Sequence, residues 1–257
     1  MLMIGKQLTA EQRLSKAVID IMANPKYAAL AGVLMIGKRE VDDNCPTAYT
    51  NGRDEGYGRA FIEQLNDSEL RFLVLHECYH KLYRHLITWR HLYYQNPKLA
   101  NAACDYVINL KIADDNKNGW ASIPMRDGKP MGLIDEKYRD MDSAQVFKLL
   151  QDEHGNDSGS GEGEGAGEGA GEGEGAGDSG TGIADGGLDN HDWEGAQNLD
   201  PEEAKQLERD IDEAIRQGAL SAGKLGSGGD RDLEALLEPK IDWREVLREF
   251  ISTTCAG

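Results

Sequence analysis

The sequence predicts an α+β fold: a small mixed sheet, a buried helix bearing two histidines and a glutamate, a disordered acidic insert and C-terminal helices. Three observations predict it. Apolar residues recur at helical spacing over residues 10–22, 70–86 and 99–112. Extended runs rich in Val, Ile and Leu lie between the first two of these segments. From Gln151 to Glu194 there are 13 Asp/Glu and no Lys or Arg, a composition too polar to form a core. The expected organisation is a folded domain over 1–150, a linker over 151–195 and a helical segment over 196–257, with strands preceding most of the helices.

The elements follow in order. Thr9 and Gln12 form a capping-box pair, and Leu14, Val18, Ile19, Ile21 and Met22 make the apolar stripe of a first helix ended by Asn24-Pro25. Gly32 to Val41 reads as β, and Thr47 to Thr50 as a short extended run followed by the tight-turn pair Asn51-Gly52. Gly56 to Leu65 reads as a strand end passing into a helical turn. Asn66 and Glu69 then cap a helix over Leu70 to Leu86. Pro97 suits a helix first turn, with Leu99 to Ile112 helical behind it. Residues 114–131 read as loop and Ser143 to Leu150 as a short helix. Gly161 to Gly177 is a Gly-Glu/Gly-Ala alternation, expected to be disordered. Pro201 to Gln217 forms a charged helix with Leu207, Ile211, Ala214 and Ile215 on one side, and Ile241 to Ile251 a last amphipathic helix.

Composition excludes several classes. The net charge is −18, of which −18 + 13 = −5 lies outside the acidic stretch, so no basic surface for nucleic acid is expected. No apolar run approaches the length of a membrane span. The four cysteines (Cys45, Cys78, Cys104, Cys255) show no CxxC pair, and the N-terminus has no signal-peptide pattern. A cytoplasmic protein with reduced thiols is expected. Gly218 to Lys224 (GALSAGK) nearly matches a phosphate-binding loop, but Leu225 stands where Ser or Thr belongs and a helix precedes it.

The chemistry concentrates in residues 76–80, HECYH. On a helix His76 and His80 fall on one face a turn apart, with Glu77 beside them. Two neutral imidazoles can hold one Zn²⁺ while the carboxylate acts on a water. A catalytic zinc needs a third protein ligand. His85 lies about 180° round from His76 on a straight helix, with no glycine between His80 and His85 to turn the chain. His91, His154 and His191 stand at a helix end or in the acidic insert. Asp105 is acidic amid an apolar helical segment, so its burial calls for a metal, a salt bridge or a set of hydrogen bonds. Asn101 and Asn109, four residues either side, are placed to hold the histidine rings or Asp105. Cys78 points about 200° away from His76. Tyr83 lies on the ligand face one turn after His80, where packing suits it equally well.

TAYTNGR (47–53), LNDSELRFLVLHECYHKLYRH (65–85) and NAACDYVIN (101–109), in this order, resemble the bacterial and phage metallopeptidases found beside von Willebrand factor A-like domains. The resemblance covers residues 10–150 and touches IDWREVLREF (241–250). It implies a gluzincin-like zincin fold in which His76, His80 and Asp105 hold Zn²⁺ and Glu77 is the general base. A peptide is then the substrate, with the strand at 47–50 as the sheet edge along which it lies. The sequence reaches Gly257 without a DxSxS motif, and is expected to be either a piece of a longer protein or a natural short form, with a von Willebrand-like protein as one expected partner. The competing expectation is a non-catalytic zinc module that docks a partner such as a MoxR-type AAA+ ATPase. Against it, a structural zinc has no need of Glu77.

Overall fold

The computed structural model describes residues 7–157, 188, 190–197 and 200–224. The Gly-Glu/Gly-Ala alternation and the helix expected over 241–251 lie outside them. The described fold is α+β, mostly helical with a small mixed sheet. Among the described residues no single helix is long and apolar enough to cross a membrane.

Helix α1 (Ala10–Ala23) begins with the reciprocal Thr9–Gln12 capping box and ends at Asn24. It buries Ala10, Leu14, Ala17, Val18 and Ile21, while Ile19, expected in the stripe, is 64% exposed. A 3-10 helix (Pro25–Leu30) leads into the short helix α2 (Ala31–Leu34). The expected strand over 32–41 thus begins as helix, over residues 32–34, and β1 is confined to Arg39–Asp42. A short apolar run has no period that separates strand from buried helix. Here Val33 and Leu34 enter the helical core instead.

β2 (Ala48–Thr50) and β3 (Glu55–Gly58) form an antiparallel hairpin. Gly52 takes φ +86° in the turn, and the Asn51 side chain accepts from the Arg53 and Asp54 amides. Helix α3 (Arg59–Gln64) follows directly. The sheet order is β1-β3-β2-β6, with β6 (Asn190–His191) parallel to β2. β2 is therefore not the sheet edge, because β6 occupies its outer side.

Helix α4 (Asp67–Leu82) is the centre of the molecule. Asn66 and Glu69 form its capping box, and every residue from Phe72 to Leu82 is buried. A helix buried all round packs on several partners, here α1, α2, β2 and the later helix α7 (Pro97–Asp115). The helix stops four residues before the expected Leu86, because Arg84 adopts φ 53°, ψ 40° and the chain restarts as α5 (His85–Thr88). Left-handed backbone costs a non-glycine residue about 1–2 kcal/mol. Arg84 also pairs with Asp212. Helix α6 (Arg90–Gln95) leads to α7 (Pro97–Asp115), capped by Asn96 with Pro97 in its first turn.

A small hairpin, β4 (Met125–Arg126) with β5 (Lys129–Pro130), precedes α8 (Ser143–Asp157), which is longer than expected and packs on α7. Helix α9 (Trp193–Gln197) sits in a second buried cluster with Leu99, Ala103, Tyr138 and Phe147. Leu188, His191 and Trp193, expected in the linker, are thus buried. Helix α10 (Pro201–Lys224) buries the expected Leu207, Ile211, Ala214 and Ile215 in the same cluster as α1 and α4. Gly218 lets it approach the 3-10 helix, since a Cβ there runs into the Ala29 carbonyl. The sequence GALSAGK is simply the last part of this helix.

Candidate metal centre

Helices α4 and α7 bring together His76, His80 and Asp105, each buried, with ligand atoms mutually within 4.8 Å. His76 Nε2 and His80 Nε2 are 3.1 Å apart. Asp105 Oδ1 lies 3.7 Å from the former and 3.4 Å from the latter. The one-turn spacing on α4 creates the histidine pair, and the packing of α7 on α4 supplies the carboxylate.

Second contacts set the rings. Asn109 Oδ1 accepts from His76 Nδ1–H at 2.8 Å, which leaves Nε2 with its lone pair turned to His80 and Asp105. Asn109 is itself held, its Nδ2–H donating to the Leu133 carbonyl at 2.9 Å. Asn101 does otherwise than expected: its Oδ1 accepts from Trp193 Nε1–H at 2.6 Å. It reaches the centre only through the segment that Trp193 anchors.

Two histidines set aside on sequence grounds stand at this site. His85, 2% exposed, places Nδ1 3.2 Å from His80 Nδ1. The straight-helix geometry that put it on the far face does not hold, because the left-handed Arg84 folds the chain back. An arginine does here what was expected of a glycine. His191, from β6, brings Nε2 to 3.0 Å from both ring nitrogens of His80 and 3.5 Å from Asp105 Oδ1. His91 lies within α6. Tyr83 is the C-cap of α4 and stacks on His85 at 5.5 Å. One sequence signal pointed to His191: Leu188 and Trp193 are large apolar residues in an otherwise polar, acidic run.

Burial, and then the neighbouring His191, His76 and His85, hold His80 well below the usual histidine range. It is therefore neutral at pH 7, with a lone pair available to a cation. Imidazole nitrogens around one carboxylate oxygen make a donor set suited to a divalent transition metal. Glu77 is fully buried on α4, next to His76. Its charge reaches Tyr57 on β3, whose hydroxyl is held well above its usual range, first by burial and then by Glu55 and Glu77.

The opposite side of α4 carries a different polar cluster. Lys81 Nζ meets Glu55 Oε1 at 2.6 Å and donates to the Ile36 carbonyl. Arg39 Nε donates to Glu55 Oε2 at 2.6 Å, as does Tyr57 Oη–H at 3.0 Å. Burial by itself raises the Glu55 carboxyl, but Lys81 and then Arg39 outweigh it and hold the group below its usual range. Cys78 is buried near these charges, and burial pushes its thiol up to about 12, so it stays a neutral packing residue.

Fold and site together define an α+β protein with a buried histidine–carboxylate group able to hold a metal ion. The chain belongs to the family described as "putative metallopeptidase domain", which it matches over residues 9–257. That span includes His191 as well as His76, His80 and Asp105. No curated protein and no solved structure matches the chain.

Proposed function

We propose that this chain is a zinc-dependent peptidase acting on a peptide or protein substrate, with a gluzincin-like zincin site. The observation that carries the reading is the convergence of His76 Nε2, His80 Nε2 and Asp105 Oδ1, with Glu77 buried beside them on the same helix. His76, His80 and Asp105 hold Zn²⁺, and Asn109 keeps His76 in the tautomer that offers Nε2. A zinc ion so held supplies Lewis acidity, polarising a carbonyl and bringing the pKa of a water towards 7. Glu77 takes the proton of the attacking water and passes it to the leaving amine.

Glu77→Gln tests the reading. Metal content, measured by mass spectrometry, is expected to stay at that of the unaltered chain, while peptide hydrolysis falls by about 10²–10⁴-fold. Cleavage at the original rate, or none by the unaltered protein across a broad peptide library, overturns it.

A second reading has one specific observation in its favour. His191 offers a fourth nitrogen, and metal sites with four protein ligands are commonly structural. On that reading the chain is a zinc-containing module that docks a partner such as a MoxR-type AAA+ ATPase or a von Willebrand-like protein. Glu77→Gln then changes no activity and leaves partner binding intact.

A further inference from the structure

We infer that His191 is a fourth protein donor to the metal, and that β6 is thereby latched across the centre. The inference rests on His76, His80 and Asp105 holding the ion, and does not depend on hydrolysis. Geometry is the first support. Around an ion with bonds of about 2.0–2.1 Å, the corners of a tetrahedron lie roughly 3.3–3.4 Å apart. His191 Nε2 stands 3.5 Å from Asp105 Oδ1 and 3.0 Å from both ring nitrogens of His80, beside its Cε1 edge, so that sharing one ion calls for a turn of the two imidazole rings. The separation from Asp105 lies within the range of those among the other three donors, 3.1, 3.4 and 3.7 Å.

Its delivery is the second support. The His191 side chain is fully buried, and its backbone is fixed by pairing with Thr50 and by the Asp192 amide donating to the Thr50 carbonyl at 3.0 Å. Apolar anchors flank it. Leu188 is fully buried against Gly132, and Trp193 stacks on Tyr93 at 4.8 Å while donating to Asn101. A histidine that only filled space in such a segment has no need to bring Nε2 within 3.5 Å of the Asp105 carboxylate and beside the His80 ring.

Four protein donors fill a tetrahedral set. With all four donors engaged the centre is therefore closed while β6 is docked.

The full chain loaded with Co²⁺ in place of zinc tests this. In His191→Cys a thiolate-to-cobalt charge-transfer band is expected that the unaltered chain lacks. His191→Ala is expected to lose cobalt to a competing chelator at about tenfold lower chelator concentration or less. Hydrogen exchange over residues 190–196 is expected to rise on metal removal, and to be as fast in metal-loaded His191→Ala. If His191→Cys shows no new band, and His191→Ala keeps the unaltered spectrum and affinity, His191 only packs and the inference fails. The cysteine variant decides the question even if the alanine variant does not fold. Asp105→Ala separates the two levels. A chain that binds no cobalt at all overturns the metal centre itself. Binding that is lost in Asp105→Ala but untouched by both His191 variants overturns only the latch.

Discussion

The two sides of α4 bury polar groups in opposite ways. On one, the Glu55 carboxylate meets two permanent cations, Lys81 and Arg39, and a tyrosine hydroxyl. On the other, the Asp105 carboxylate meets imidazoles, at least one of which burial keeps neutral. The first cluster balances its charge with protein groups alone and ties α4 to the sheet. The second gathers lone pairs about a single point, and its charge is balanced when a cation arrives. A buried network of balanced side-chain charges reads as structure, and imidazole nitrogens converging on a carboxylate read as a binding site.

The largest effect should come from breaking the balanced side. Lys81→Met leaves Glu55 buried with one of its cations gone and is expected to cost about 3–5 kcal/mol in urea unfolding. Zinc affinity of the folded fraction should not change. A destabilisation equal to that of a surface substitution would mean that the two clusters are not distinct in kind. On the other side, Asn109→Ala frees the His76 ring and is expected to weaken zinc binding by about 10–100-fold, measured by chelator competition. Its effect on metal-free stability should be smaller than that of Lys81→Met.

Acid sharpens the contrast in the metal-free protein. The folded His80 binds its proton less readily than the unfolded one, whose pKa is about 6.5. Its side of α4 therefore keeps full stability above pH 6.5 and loses it as pH falls below that value. Glu55 is also held below its usual range. Its contribution is present above pH 4.5 and is lost only as pH falls through the lowered folded value. Unfolding free energy measured from pH 8 to 4 should thus begin to decline near 6.5, and saturating zinc should suppress this first decline. The smallest change is expected for Asp105→Asn without metal, which removes a buried charge at little cost or with a gain in stability. With zinc present the same variant loses its metal-dependent rise in melting temperature.

How much was legible in the sequence follows the range of the interactions. Thr9, Asn66 and Pro97 mark helix starts because capping is decided within one turn. His76 and His80 share a face because helical spacing places them there, and Asp105 stands out as a charge in an apolar stripe. The apolar run at 32–41 misled because its length admits either strand or helix, and packing against the core chose. His85 misled because one left-handed residue, Arg84, undoes any angle reckoned on a straight helix. Lys81 and Glu55 are unremarkable in sequence, and their pairing arises only when α4 crosses β3.

By itself, then, the sequence determined the α+β class, the capped central helix, its histidine pair with Glu77 beside it, and the aspartate on a later helix. All of these depend on spacing within one element or on composition. Tertiary structure alone decided that His85 and His191 join them, that β6 covers β2, and that Glu55 is neutralised from two elements. A two-residue strand entering from the far side of an acidic stretch has no periodicity to read. Its place is set by the apolar anchors Leu188 and Trp193 and by the register of Thr50 with His191, and these exist only once the chain has folded.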